Sequence, residues 1–213
     1  MELPLFPLHT VLFPGRPLPL HVFEQRYRDL LADCLAGDRR FGVVAIRSGQ
    51  EAGGDADLFD VGTVAEIEHV ETLPDGRANI VTRGMERFRI DTLLPGSGYL
   101  RAKARLLDDV PGDREITGPA RAVRRMLMGY LAALGAPQQM LDRIPKAPEA
   151  LAWLAASTLQ VELPELQKLL EMDNCSRRLE QTLRVLRREA NIIRHLGTVA
   201  SLRPPGPGGV ELN

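Results

Sequence analysis

The sequence predicts an α+β fold: a small curled antiparallel β structure with one helix over residues 1–110, then an α-helical bundle over 117–196. Two changes of period carry this reading. Apolar and polar residues alternate in short runs through the first half, as in strands with one buried face. After Pro111-Gly112 the apolar positions recur at helical spacing instead. A third observation is the opening stretch, where Leu3, Leu5, Phe6, Leu12, Phe13 and Leu20 are interrupted by Pro4, Pro7, Pro14 and Pro17. Proline fixes φ and removes a backbone donor, so this stretch suits edge strands and rigid turns. Nothing local can cover so many apolar side chains, so the opening must close a sheet whose other strands come later.

Two short strands therefore fill the first 22 residues. Phe23, Tyr27, Leu30, Leu31, Cys34 and Leu35 then fall on one face of an amphipathic helix that Gly37 ends. Arg40 to Arg47 is a β-branched run typical of a buried strand, and Ser48 to Asp57 reads as an acidic, glycine-rich loop. Gly62 to Val70 and Ala78 to Arg83 make a hairpin about the turn Leu73-Pro74-Asp75-Gly76-Arg77. The return arm is expected to stop at Gly84, with a separate strand over Arg87 to Asp91. Tyr99 to Leu107 alternates cleanly, Leu100, Ala102, Ala104 and Leu106 against Arg101, Lys103 and Arg105. Six or seven short strands result.

In the second half, Ala120 to Leu134 forms a helix with Thr117 as its cap and Pro119 in its first turn. Ala147 to Thr158 and Pro164 to Glu171 form two more. The longest starts from a cap at Asp173 or Asn174 and runs to about Leu196, with Leu179, Leu183, Leu186, Ala190 and Ile193 as its stripe. The tail 197–213, rich in proline and glycine, is expected to be non-helical and loosely held.

Composition narrows the function classes. The formal net charge of −1 over 213 residues gives no global pull toward nucleic acid or an anionic membrane. Cys34 and Cys175 stand far apart, each in a helical pattern, and read as buried reduced thiols. No stretch has the pattern of a signal peptide or a spanning helix, so the cytoplasm is the expected compartment and no membrane partner is expected.

Catalytic signatures are sparse. Lys103, Lys146 and Lys168 are the only lysines and none follows a glycine, so there is no phosphate-cradling loop of the Walker type. No Gly-x-Ser-x-Gly elbow occurs. His9, His21, His69 and His195 lie on four different elements without metal-ligand spacing, and Asp55, Asp57 and Asp60 lack the glycine and glutamate of a calcium loop. Met126, Met128, Met140, Met172 and Trp153 read as helical packing, with an adaptable binding surface as the lesser reading. No metal, cofactor or catalytic residue is expected.

One charged constellation stands out. With Phe88 and Ile90 turned inward, Arg87 and Arg89 would face out beside Arg101, Lys103 and Arg105 on the next strand. Such a basic plate is either a solvated face that discourages sheet association or a contact for phosphates or an acidic partner.

The opening motifs Leu3-Pro-Leu-Phe-Pro-Leu8, Val11-Leu-Phe-Pro-Gly15, Leu18-Pro-Leu20 and Phe23-Glu-Gln-Arg-Tyr27 resemble the start of the Lon protease N-terminal domain family. The likeness continues through Phe41-Gly-Val-Val44, Gly62-Thr-Val-Ala-Glu-Ile67, Asp75-Gly-Arg77, Gly84-Met-Glu-Arg-Phe-Arg-Ile90 and Leu169-Leu-Glu-Met-Asp173, covering about residues 1–196. The resemblance implies a PUA-like pseudo-barrel packed on a helical bundle, a unit that recognises protein substrates in full-length proteases. The ATPase and Ser-Lys peptidase modules of those proteases have no counterpart here, and the chain is read as a stand-alone member.

The expected function is thus a non-enzymatic module that binds unfolded or exposed polypeptide, with a separate ATPase or protease as a further partner in trans. Leu12, Phe13, Phe23, Tyr27 and Phe88 are the expected peptide contacts, although the same periodicity marks them as core. The alternatives are RNA or other nucleic acid binding on the basic plate, by analogy with the PUA-like fold alone, and a small-molecule module in the groove between the two halves.

Overall fold

The computed structural model describes residues 1–49, 56–94, 98–110 and 116–201, with 193–201 by backbone alone. The opening stretch folds as β1 (Glu2–Leu8) and β2 (Pro17–Val22), followed by α1 (Gln25–Ala36). Four further strands follow: β3 (Arg40–Ser48), β4 (Asp57–Thr72), β5 (Ala78–Leu94) and β6 (Arg101–Leu107).

The strand order is β2-β5-β4-β3-β1-β6, and β6 also pairs with β5. Strands β5, β4, β3, β1 and β6 therefore close a ring, with β2 added along one half of β5. The proline-studded opening does supply a closing strand. Leu3 faces Ala102 of β6, and Phe6 faces Val43 of β3. The β1–β3 pairing is parallel, the single departure from the antiparallel pattern, because β2 and α1 form the crossover between the two strands.

The hairpin arms are longer than the sequence suggested. Gly84 ends no strand. Strand β5 runs through it, pairing with β2 over Ala78 to Arg83 and with β6 over Arg87 to Leu94. Gly84 is where the loop after β1 crosses the sheet: its amide donates to the Arg16 carbonyl at 2.8 Å and its carbonyl accepts from the Gly15 amide at 2.7 Å. A Cβ at this position would lie 2.4 Å from the Phe13 carbonyl oxygen, so only glycine permits the crossing.

All five strands of the ring fill its interior, through Leu3, Leu5, Val44, Ile46, Leu58, Val64, Phe88, Ala102 and Ala104. Helix α1 covers the outside of the sheet, where Tyr27 stacks on Phe6 with ring centroids 3.9 Å apart. The helix starts at Gln25, so Phe23 sits in the extended segment before it, 60% exposed.

The second half comprises α2 (Thr117–Ala133), α3 (Gln138–Asp142), α4 (Pro148–Ser157), α5 (Leu163–Glu171) and α6 (Cys175–Ser201). Thr117 lies within α2 rather than capping it, and Ile116 holds the cap position without a side-chain bond. Asn174 does cap α6, its Oδ1 accepting from the Arg177 amide at 3.0 Å. Helix α3, of five residues, is too short to show a period and was not expected. Helix α6 continues through Gly197 to Ser201, past the expected start of the tail, since one interior glycine costs only ~1 kcal/mol relative to alanine. The rest of the tail, 202–213, and Asp55 lie outside the described residues. The bundle core reaches into the barrel half at Phe13 and Val61.

Candidate functional site

Of the five apolar residues expected to contact peptide, four are core. Leu12, Phe13, Tyr27 and Phe88 are between 0% and 4% exposed. Phe88 fills the ring, Tyr27 of α1 and Leu12 share the core between that helix and the sheet, and Phe13 meets Trp153 at a centroid distance of 6.0 Å. Their periodicity was that of packing. Phe23 alone is accessible, stacked on His21 at 5.9 Å, while His21 shares a hydrogen bond of 2.8 Å with Asn79.

The basic plate is also broken. Arg87 does not face solvent, because the bundle covers that part of β5. Its guanidinium donates to the carbonyls of Leu170 (2.9 Å), Met172 (3.1 Å) and Asp108 (3.1 Å) and to Asp109 Oδ1 (2.7 Å). Arg101 pairs with Glu2 at 2.7 Å, and Arg105 pairs with Asp91. Of the five cations, Arg89 and Lys103 are in no ion pair among the described residues.

Arg87 instead helps join barrel to bundle. Arg178, fully buried on α6, donates to the same Asp109 Oδ1 at 2.8 Å and to the Met172 carbonyl at 2.5 Å, and lies 3.4 Å from the Trp153 ring centroid. Burial pushes the Arg178 guanidinium down from its ordinary value, and Asp109 opposes that shift. Gln167 of α5 adds a bond from Nε2 to the Val61 carbonyl at 2.9 Å. These contacts fix the two halves against one another, and Thr63 Oγ1, donating to the Leu12 carbonyl at 2.6 Å, anchors the intervening loop.

On this seam lies a groove of about 350 Å³. Pro14, Gly15 and Arg16, in the loop between β1 and β2, form its barrel wall. The bundle wall comes from Leu131 of α2, Met140 of α3, the connection Arg143-Ile144-Pro145, and Leu154 of α4. The lining is mainly apolar, and Met140 stands 55% exposed over it. Arg16 is half-buried, and burial, followed by the charge of Arg83, pushes its guanidinium below its ordinary value. A size near 350 Å³ with an apolar lining and few polar groups suits one or two side chains of an extended segment.

The sequence placed a groove between the halves but not its lining. Met140 reads in sequence as helical packing, with an adaptable binding surface as the lesser reading, and the five-residue α3 has no period to decide between them. Arg16 sits in what reads simply as a Pro-Gly turn. A second recess, of about 360 Å³, lies beside Thr117, Arg121, Arg124 and Lys146.

The chain matches the family model of the ATP-dependent protease La (LON) substrate-binding domain over residues 2–188. It is similar to a Lon protease of Cytophaga hutchinsonii, 30% identical over an alignment of 203 positions that covers 90% of this chain and 24% of that protein. It is similar also to one of Anaeromyxobacter dehalogenans, 31% identical over 199 residues, with the same shares covered. The chain thus spans about a quarter of the length of these curated relatives. Among solved structures it resembles a Lon N-terminal domain protein from Xanthomonas campestris, with TM-score 0.65, 31% identity, and 86% and 97% of the two chains covered. The fold of the N-terminal domain of a Mycobacterium avium complex Lon protease is also similar, with TM-score 0.70 at 19% identity, and 87% and 98% covered.

Proposed function

Because this chain belongs to the ATP-dependent protease La (LON) substrate-binding domain family, we propose that it is a polypeptide-recognition module that holds exposed apolar segments in the groove between barrel and bundle. The observation that carries this reading is the groove itself, in which Met140, Leu131, Ile144 and Leu154 present an apolar lining beside a rigid Pro-Gly turn. The work assigned to the chain is binding, not catalysis. Both thiols are buried and pushed up, Cys34 to about 12 and Cys175 to about 11, away from nucleophilic use. A separate ATPase or peptidase acting in trans is the natural recipient of a segment held this way. No helix among the described residues is long and apolar enough to cross a membrane.

Fluorescence anisotropy with labelled unfolded casein tests the reading. Saturable binding at micromolar protein is expected, and its absence at high micromolar concentration overturns the proposal. Retention of RNA at low salt in place of casein would instead favour the cations of the plate that the bundle does not bury, the exposed Lys103 and Arg105 with the half-buried Arg89 and Arg101.

A further inference from the structure

The groove has two cations in its lining and no carboxylate. Arg16 belongs to the barrel wall and Arg143 to the bundle wall, and neither is in an ion pair among the described residues. The nearby charges are committed elsewhere. Arg83, which disfavours the charge on Arg16, is held by Glu68 at 2.5 Å. Asp142, adjacent to Arg143, accepts from Gln138 Nε2 at 2.9 Å. Arg143 is exposed, but the half-buried guanidinium of Arg16, without a counter-ion among the described residues, is disfavoured where it stands, and a ligand carboxylate would remove that disadvantage while leaving the apolar lining for its neighbours.

We propose that the groove selects segments in which an internal Asp or Glu side chain lies beside apolar residues, the carboxylate being met by Arg16 and Arg143. The inference rests on the recognition reading above and names its substrate class. In an extended segment residues i and i±2 share one face, so an acid at i and apolar residues at i±2 enter the groove together. An internal side chain fits better than a chain terminus. Capture of a terminal carboxylate uses a nest of free backbone amides, and here the Gly15 and Arg16 amides are already bonded to the Gly84 and Phe13 carbonyls, at 2.7 and 3.1 Å. The Thr158 hydroxyl is likewise spent on the Ala155 carbonyl at 2.8 Å.

Three labelled peptides of equal length test this, each with Leu at i±2 and with Glu, Gln or Lys at i, titrated against the wild-type chain. They are also titrated against Arg16→Gln/Arg143→Gln and against a charge-matched control on the exposed face of α2, Arg121→Gln/Arg125→Gln. The Glu peptide is expected to bind about tenfold more tightly than the Gln peptide, as for one charge-assisted pair, with the Lys peptide weakest. That preference should vanish in Arg16→Gln/Arg143→Gln and persist in the control. Equal binding of all three peptides, or a preference that survives Arg16→Gln/Arg143→Gln, overturns the inference and leaves the recognition reading standing. Binding of none of them overturns both. Neither arginine side chain holds another element by an ion pair, so an unchanged urea midpoint is expected for the double variant.

Discussion

Arg87 of β5 and Arg178 of α6 donate to one and the same oxygen, Oδ1 of Asp109, at 2.7 and 2.8 Å. Both guanidiniums are out of water, at 2% and 0% exposure, so among the described residues a single carboxylate balances two buried cations. Replacing Asp109 by alanine strands both charges and should cost about 3–5 kcal/mol of unfolding free energy, the usual penalty for breaking a buried pair. Urea denaturation followed by Trp153 fluorescence checks it, because Arg178 lies over that ring. A loss below about 1 kcal/mol would mean that the pairing adds little beyond the carbonyl bonds the two arginines keep.

The barrel interior makes a second prediction, in which two glycines that look alike part company. The three atoms nearest a Cβ at Gly42 would all be side-chain atoms, of Leu3, Phe88 and Leu5, at 2.7 to 2.9 Å. A Cβ at Gly62 would meet the Val43 carbonyl oxygen at 2.4 Å as well as the Phe88 ring. Either glycine-to-alanine change should destabilise by about 1–3 kcal/mol through overpacking. Adding Phe88→Leu should recover much of the loss for Gly42→Ala and little for Gly62→Ala, where backbone must move. Double-mutant cycles from thermal or urea unfolding read the difference directly.

These contacts also show what the sequence could reveal. Alternation and helical period are local, so β1, β2, α1 and four of the five bundle helices were legible from Leu5, Tyr27, Leu127 or Leu179 and their neighbours. Closure of the sheet was legible too, from apolar side chains in the opening that nothing local could cover, and the resemblance of the motifs added the PUA-like pseudo-barrel packed on a bundle. Solvent direction is not local. Arg87 reads as outward by alternation from Phe88, yet α5 and the start of α6 cover that face, and both residues of β5 are buried. The site was least legible, because the apolar character that singles out Leu12, Phe13, Tyr27 and Phe88 is also the mark of core. Met140 and Arg16 belong to a five-residue helix and a turn, too short for any period to report.

The two thiols and Tyr99 predict a loss of stability in alkali. Burial first, then Asp38 and Asp33, pushes Cys34 up to about 12, and burial pushes Cys175 to about 11, each from an ordinary 9.0. Tyr99 is pushed to about 12 by burial and by its hydrogen bond to Asp33. A raised folded value means that the native state keeps protons the unfolded chain has released. The stabilisation is therefore complete below pH 9 and declines as pH rises toward 12. Urea midpoints should be flat from pH 7.5 to 8.5 and fall beyond 9, and Cys34→Ser, which keeps a donor for the Arg40 carbonyl, should flatten the fall. Native protein at pH 8 should react slowly with a thiol reagent and quickly once unfolded. Rapid reaction of both cysteines without denaturant would contradict the burial.

Two exposed apolar residues compete to be the recognition contact, and they can be separated. Met140 stands over the groove, whereas Phe23 follows the far end of β2, about 23 Å along an extended chain from Arg16 at ~3.3 Å per residue. A short peptide filling the groove does not need both. Met140→Asp should weaken binding of an unfolded polypeptide roughly tenfold, by removing an apolar contact worth about 1.4 kcal/mol and by placing a competing carboxylate near Arg16 and Arg143. Met140→Leu should bind like wild type, and Phe23→Ser should leave affinity for a short peptide unchanged. Both side chains replaced are largely in water, so unfolding free energies should move by no more than about 0.5 kcal/mol in all three variants. Should Phe23→Ser abolish binding while Met140→Asp leaves it intact, the recognition surface is the His21–Phe23 end of β2 and the groove is not the site.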